Sequence, residues 1–280
     1  LAVGAAALPA ISRNADAQSY PTRQNIGGAD GSIGTGRAAR AKPDGYTIDI
    51  GFLGNHVLNG AFYSLNYDLL NDFAPILPLT NVSFLLYAKK TVPARDLTEL
   101  IAWLKANPKV SAGTTGVGPR LVTAVFQRET GMRLAVVPYR GTPAVLQDLM
   151  GGQIDISFNV PDGLPLVRAG SLKAYAATSN TRLTAAPDIP TFAELGFPMV
   201  SWSAWTGLFA PKGTPKDIIA KLNAAAVAAL ADPAVRSRLA DLGGEVIPPE
   251  QQTPEALGAL VKADAEKWWP VIKELGLKAE

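Results

Sequence analysis

From Val136 to Phe158 the chain reads VVPYRGTPAVLQDLMGGQIDISF, and the period of its apolar positions changes twice along the way. The β-branched pair Val136 and Val137 leading into Pro138 has the character of a strand end. Thr142 is a good N-cap with Pro143 at the first helical position, and Val145, Leu146 and Leu149 fall on one helical face. Gly151 and Gly152 stop the helix, and Ile154 and Ile156, separated by Asp155, start the next strand. Connections this short predict a βαβ unit whose two strands are parallel and joined by a right-handed crossover.

Strand and helix signals alternate along the rest of the chain, which predicts an α/β protein of mostly parallel sheets covered by helices. Strands are expected at 46–52, 84–88, 109–112, 134–137, 172–178 and 205–209. Asp96 caps a helix over 97–106, with Glu99 at capping-box spacing, and Pro119 opens another over 119–130. Shorter helices are expected around 35–41 and at Thr191. Three helices fill the C-terminal region. Thr214 caps the first, with Pro215 at its first position and Ile218, Ile219, Leu222 and Leu230 on its buried face. Asp232-Pro233 starts the second, which ends near Gly243, and Thr253-Pro254 starts the third, which Pro270 is expected to kink or stop after Trp268 and Trp269.

Composition narrows the function. A chain of 280 residues has room for two lobes, and a net charge of +2 from scattered Lys and Arg leaves no basic stripe for nucleic acid. With no Cys and one His, disulfides, cysteine catalysis and multi-histidine metal sites are excluded, and no Ser stands in a G-x-S-x-G elbow. No enzyme, metal site or cofactor is therefore expected. The run Gly27 to Gly34, GGADGSIG, lacks a preceding strand and a following Gly-Lys-Ser/Thr, so it reads as a turn into a helix rather than a nucleotide loop. The opening LAVGAAALPA is too short to span a bilayer and precedes a small-residue site at Ala15-Asp16-Ala17. Residues 1–17 read as the remnant of a secretory signal without its basic start, cleaved before Gln18, which places the mature protein in the periplasm. No other stretch approaches transmembrane length, so the mature protein is not expected to span the membrane.

Three turns carry candidate chemistry. Gly113-Thr114-Thr115-Gly116-Val117-Gly118 links the strand ending at Ala112 to the helix opened by Pro119, and backbone N–H groups at such a start hold carboxylates. Asn55 and His56 follow a strand, where a polar residue suits the cleft of an α/β sheet, although a lone His is as readily a packing or capping residue. Asn159 and Asp162 stand in the turn after the strand ending at Phe158, either lining a cleft or capping the turn.

These marks, with Val137-Pro138-Tyr139 and Gly141, Asp148-Leu149 and Gly151-Gly152-Gln153, Asp155 and Phe158, resemble the Bug-type receptors of tripartite tricarboxylate transporters. Pro43-Asp44-Gly45-Tyr46-Thr47, Asp72-Phe73-Ala74-Pro75-Ile76, Pro187-Asp188-Ile189-Pro190-Thr191 and Ala210-Pro211-Lys212-Gly213-Thr214-Pro215 are similar to that family in the same order. The resemblance implies a two-lobe, type II-like periplasmic-binding-protein fold. The chain would cross between lobes near Asn81 and Gly207, giving lobe 1 as 18–81 and 208–280 and lobe 2 as 82–207. It further implies capture of a small organic carboxylate for membrane permease subunits, with the loop at Thr115, Gly116, Val117 and Gly118 as one half of a two-loop pincer. The family pattern there has Ser or Thr after Gly and His before Leu. Here Val117 lacks the hydroxyl, and Arg120 stands before Leu121, either replacing that contact with a cation or facing solvent. The family also has a strand-helix-strand unit that this chain lacks after Arg23, together with the other half of the pincer. A weakly binding or non-functional relative, or a sensory receptor for a signalling partner, are the alternatives.

Overall fold

Strands of the two halves of the chain interleave. The computed structural model describes residues 24–241 and 243–278, so the expected leader and its cleavage site lie outside the described residues. The first sheet has the order β1 (Asp49–Phe52), β8 (Ser203–Pro211), β2 (Phe73–Ser83) and β9 (Gly244–Val246), antiparallel throughout. The second has the order β5 (Ala135–Pro138), β4 (Ser111–Thr114), β6 (Ile156–Asn159), β3 (Leu85–Lys89) and β7 (Leu172–Ala177). Only the pairings of β4 with β5 and β6 are parallel; β3 runs antiparallel to both its neighbours. The expectation of mostly parallel sheets is thus corrected. The βαβ strands β5 and β6 do run parallel, with β4 inserted between them, while the first sheet is built from the long antiparallel β2–β8 ribbon.

β2 is not among the strands expected from the sequence, because Pro75 and Pro78 interrupt its pattern. The structure sets both prolines at register shifts against β8, where the ladder is already broken and a missing N–H is tolerated. The chain passes from the first sheet to the second between Ser83 and Leu85 and returns between Ala177 and Ser203. Asn81 and Gly207 both lie inside the β2–β8 ladder, opposite Trp205 and Pro78.

Local chemistry accounts for most helix ends. Asp96 accepts from the Glu99 amide at 2.8 Å and starts α3 (Leu97–Ala106), while Thr253 accepts from the Ala256 amide at 3.1 Å and starts α9 (Pro254–Glu274). Three details depart from expectation. Thr214 caps nothing: its hydroxyl donates to the Pro211 carbonyl at 2.8 Å, and α7 (Lys216–Ala231) starts beyond it. Pro270 does not stop α9, because Trp268 and Ile272, buried on either side of it, hold the helix against the core. At Thr191 there is a turn and no helix.

One apolar core joins the two sheets. Leu53 and Val57 from the first side pack in the same cluster as Val117, Leu121, Phe84 and Trp202. Strand β1 is the exception to this burial: it forms the edge of its sheet, and Ile50 and Phe52 are 62% and 44% exposed. Among the described residues, no single helix is long and apolar enough to cross a membrane.

Candidate functional site

The chain leaves β4 at Thr114 and enters α4 (Val117–Thr130) through Thr115 and Gly116. Gly116 has φ 78° and ψ −172°, a backbone region that residues with a Cβ enter only at a cost, and it offers no side chain to cap the helix. The first amides of α4 are therefore left to a ligand or to water. The Val117 side chain is buried, 3.3 Å from where a Cβ on Gly54 would stand, and closes the seam between the two sheets. A Cβ on Gly118 would lie 3.5 Å from the rings of Phe84 and Trp202.

Asn159, at the end of β6, ties this loop to a second helix start. Its Oδ1 accepts from Thr115 Oγ1 at 3.3 Å and from Thr142 Oγ1 at 2.9 Å, and its Nδ2 donates to Ser157 Oγ at 3.0 Å. Thr142 begins α5 (Thr142–Gly151), so the starts of α4 and α5 are held side by side by one buried amide.

The opposing wall comes from the first sheet. After β1 the chain makes a wide helical turn, Gly54–Leu58, and continues as α2 (Asn59–Phe62). Asn55 accepts from the Phe52 amide at 2.8 Å and donates to Thr35 Oγ1 at 3.0 Å, anchoring α1 (Ser32–Ala39). Asn59, fully buried, donates to the Asp30 carbonyl at 3.0 Å and to Ser32 Oγ at 2.8 Å, and its Oδ1 has no partner. Asp30 has φ 49° and ψ 40°, a left-handed conformation that Asp tolerates better than most residues. Its Oδ2 accepts from the Tyr63 hydroxyl at 2.7 Å, and its Oδ1 would lie 3.3 Å from a Cβ on Gly116. The acid thus stands directly across from the α4 start. Burial, followed by the Asp30 carboxylate, pushes the Tyr63 hydroxyl up to about 12, with the Arg120 cation opposing. The Arg120 guanidinium lies 5.8 Å from the centre of the Phe62 ring.

Gly116, Val117, Gly118, Thr115 and Asn159 are thus gathered at one place, with Arg120 one turn into α4, and Asn55 supports the facing wall through α1. His56 is not part of it. Its ring is fully buried, stacked 4.1 Å from Phe209, and a Cβ on Gly51 would lie 2.3 Å from its Nδ1. Nδ1 faces Asn55 Oδ1 at 3.2 Å; that oxygen already accepts from Phe52, which assigns the ring hydrogen to Nδ1 and turns Nε2 to Asp49 at 3.5 Å. Burial lowers the His56 pKa to about 3 and raises that of Asp49. Asp162 is exposed in the turn Pro161–Gly163, where partial burial raises its pKa and its charge bears on Tyr87, and it makes none of the Asn159 hydrogen bonds.

Asp30, Tyr63 and Thr142 are additions to the residues legible as site candidates in the sequence. The available signal was one acid set among Gly27, Gly28 and Gly31. A groove of about 790 Å³ between α9 and β2, lined by Phe73, Pro75, Phe209, Val261 and Trp269, is apolar and contains none of these polar groups.

The model of the tripartite tricarboxylate transporter family receptor, TctC, matches residues 22–277. BugT of Bordetella pertussis is 34% identical over 262 residues, covering 91% of this chain and 79% of its own. MatC of Rhodopseudomonas palustris with bound malate superposes with a TM-score of 0.80 at 37% identity, over 88% of this chain and 85% of its own. Rpa4515 of R. palustris with adipate gives a TM-score of 0.82 at 29% identity, over 91% and 86% of the two chains.

Proposed function

The chain belongs to the tripartite tricarboxylate transporter receptor family, of Bug type, and from that premise we propose that it captures a small organic carboxylate at the start of α4. The observation that carries the reading is the uncapped α4 start, held beside the α5 start by Asn159. Two charge-assisted hydrogen bonds from such amides contribute about 1.5 to 3 kcal/mol each, or roughly two to four orders of magnitude in affinity, and the helix dipole adds about 0.3 to 2 kcal/mol. Malate in MatC and adipate in Rpa4515 support the ligand class. Thr115 and Asn159 set the loop, Gly116 lets the ligand approach the backbone, and Gly118 lets the α4 start pack against Phe84 and Trp202. The receptor works in the periplasm and hands its ligand to permease subunits in the membrane, its lobes dividing where the chain passes between the sheets, at 84 and within 178–202, and not at Asn81 and Gly207. No catalytic step is involved.

Calorimetric titration of the purified chain with malate and with adipate tests this. Saturable binding of one of them is expected, weakened at least tenfold in Gly118→Leu, whose side chain, directed at the Phe84 and Trp202 rings, would push the α4 start out of place, with the variant's melting followed in parallel. Binding of either acid with affinity unchanged in a folded Gly118→Leu protein removes the site assignment; absence of any carboxylate binding removes the function.

A further inference from the structure

Among the described residues the two sheets have four edges, and three of them are protected. β9 is three residues long and has α8 (Pro233–Asp241) packed against it. β5 ends at Pro138 and lies between Arg133 and Arg140, and β7 carries a bridge from Ala177 to Thr191. Shortness, cover, proline and charge are the means by which an edge avoids pairing with another chain. β1 lacks proline, basic residues and cover. The run 46–52, YTIDIGF, holds one charge, Asp49, which is turned to His56 Nε2 at 3.5 Å. Tyr46, Ile48, Ile50 and Phe52 alternate with the inward residues and are all exposed. Ile50 lies opposite Leu208, so it continues the sheet face on which Leu208 packs with Ile219 and Leu222 of α7. That helix covers the face incompletely: Leu230 is buried, while Ile218, Ile219 and Leu222 are only half-buried.

We propose that this edge is the interface between two copies of the chain, β1 pairing antiparallel with β1 of the second copy about a two-fold axis at Ile50. The pattern is self-complementary in that register. Ile50 faces its own counterpart and Ile48 faces Phe52 on either side of it, so three apolar cross-strand pairs form on one face. Asp49 falls opposite Gly51, whereas moving the axis to Asp49 would set two acids against each other. Moving it to Gly51 would leave Ile48 facing Gly54, already in the helical turn after the strand. Asn55 Oδ1, which takes the Phe52 amide at 2.8 Å, ends the free ladder at that residue. The chain's own N-terminal segment matches this edge less well. Residues 18–23, QSYPTR, carry no aliphatic side chain and include a proline with no amide to give, and the apolar run before them belongs to the expected leader.

Sedimentation of the purified chain over a range of concentrations is expected to show a reversible monomer–dimer equilibrium with no larger species, since the pairing uses up both free edges. Ile50→Lys should raise the dissociation constant at least tenfold, and Val136→Lys, on β5, should leave it unchanged. Both positions are exposed, and the melting of each variant is followed in parallel. The chain has no Cys, so Ile50→Cys reads the register directly. Facing residues of an antiparallel pair have Cβ atoms about 4.5 to 5.5 Å apart, close to what a disulfide spans, so mild oxidation should join two copies at least tenfold faster than in Val136→Cys. A monomer at every concentration overturns the inference, and so does association that Ile50→Lys leaves unchanged or growth into larger species. Cross-linking of Ile50→Cys no faster than that of Val136→Cys overturns it too.

Discussion

Alanine placed at Gly116 and at Gly118, two positions apart in one loop, should change stability in opposite directions. Gly116 has φ 78° and ψ −172°, where a residue with a Cβ is strained by about 1 to 3 kcal/mol, and the new methyl would stand 3.3 Å from Asp30 Oδ1. Restricting the unfolded chain returns about 0.4 to 1 kcal/mol, which leaves a net loss of about 0.5 to 2.5 kcal/mol. Gly118 lies within α4, and its methyl would meet Phe84 and Trp202 at 3.5 Å, an ordinary contact, so Gly118→Ala should gain about 0.5 to 1 kcal/mol. At about 2 to 4 °C per kcal/mol, Gly116→Ala should melt about 1 to 10 °C lower and Gly118→Ala about 1 to 4 °C higher. Thermal unfolding followed by circular dichroism, repeated in urea, reads both. A Gly116→Ala protein as stable as the parent, with a Gly118→Ala protein less stable, would refute the loop geometry on which the anion site depends.

Other consequences follow from buried polar groups and from the sheet edge. Trp205 Nε1 donates to Asp264 Oδ2 at 2.7 Å, and burial raises the Asp264 pKa, so Trp205→Phe should cost about 1 to 3 kcal/mol in urea unfolding at pH 7 and less in acid, where Asp264 is protonated; an equal cost at both pH values would contradict this. The His56 pKa of about 3 lies below its unfolded value of 6.5, so its contribution is complete above pH 6.5 and is lost as pH falls toward 3. His56→Gln should therefore lose less stability than the parent between pH 7 and pH 4.5, and parallel pH profiles would show that the ring is not buried neutral. Ile50, 62% exposed on an edge strand, should promote association that Ile50→Lys suppresses at a stability cost within about 0.5 kcal/mol; light scattering showing the parent monomeric at high concentration would count against it.

What could be read from the sequence is what local chemistry decides. The helix α3 begins and ends where Asp96 and Asn107 put it, and α9 begins at Thr253-Pro254, because a cap acts on amides two or three residues away. The strand β2 escaped because its two prolines break the pattern, and only pairing with β8, remote in sequence, reveals that both sit at bulges. The same division runs through the site. A glycine-rich strand-to-helix loop announces itself at Gly116 and Gly118, whereas the facing wall depends on contacts from Asn59 and Tyr63 to Asp30, 29 and 33 positions apart. His56 illustrates the converse: its place after a strand suggested a cleft, but Gly51 leaves room for the ring beneath β1, where Phe209 and Phe73 enclose it.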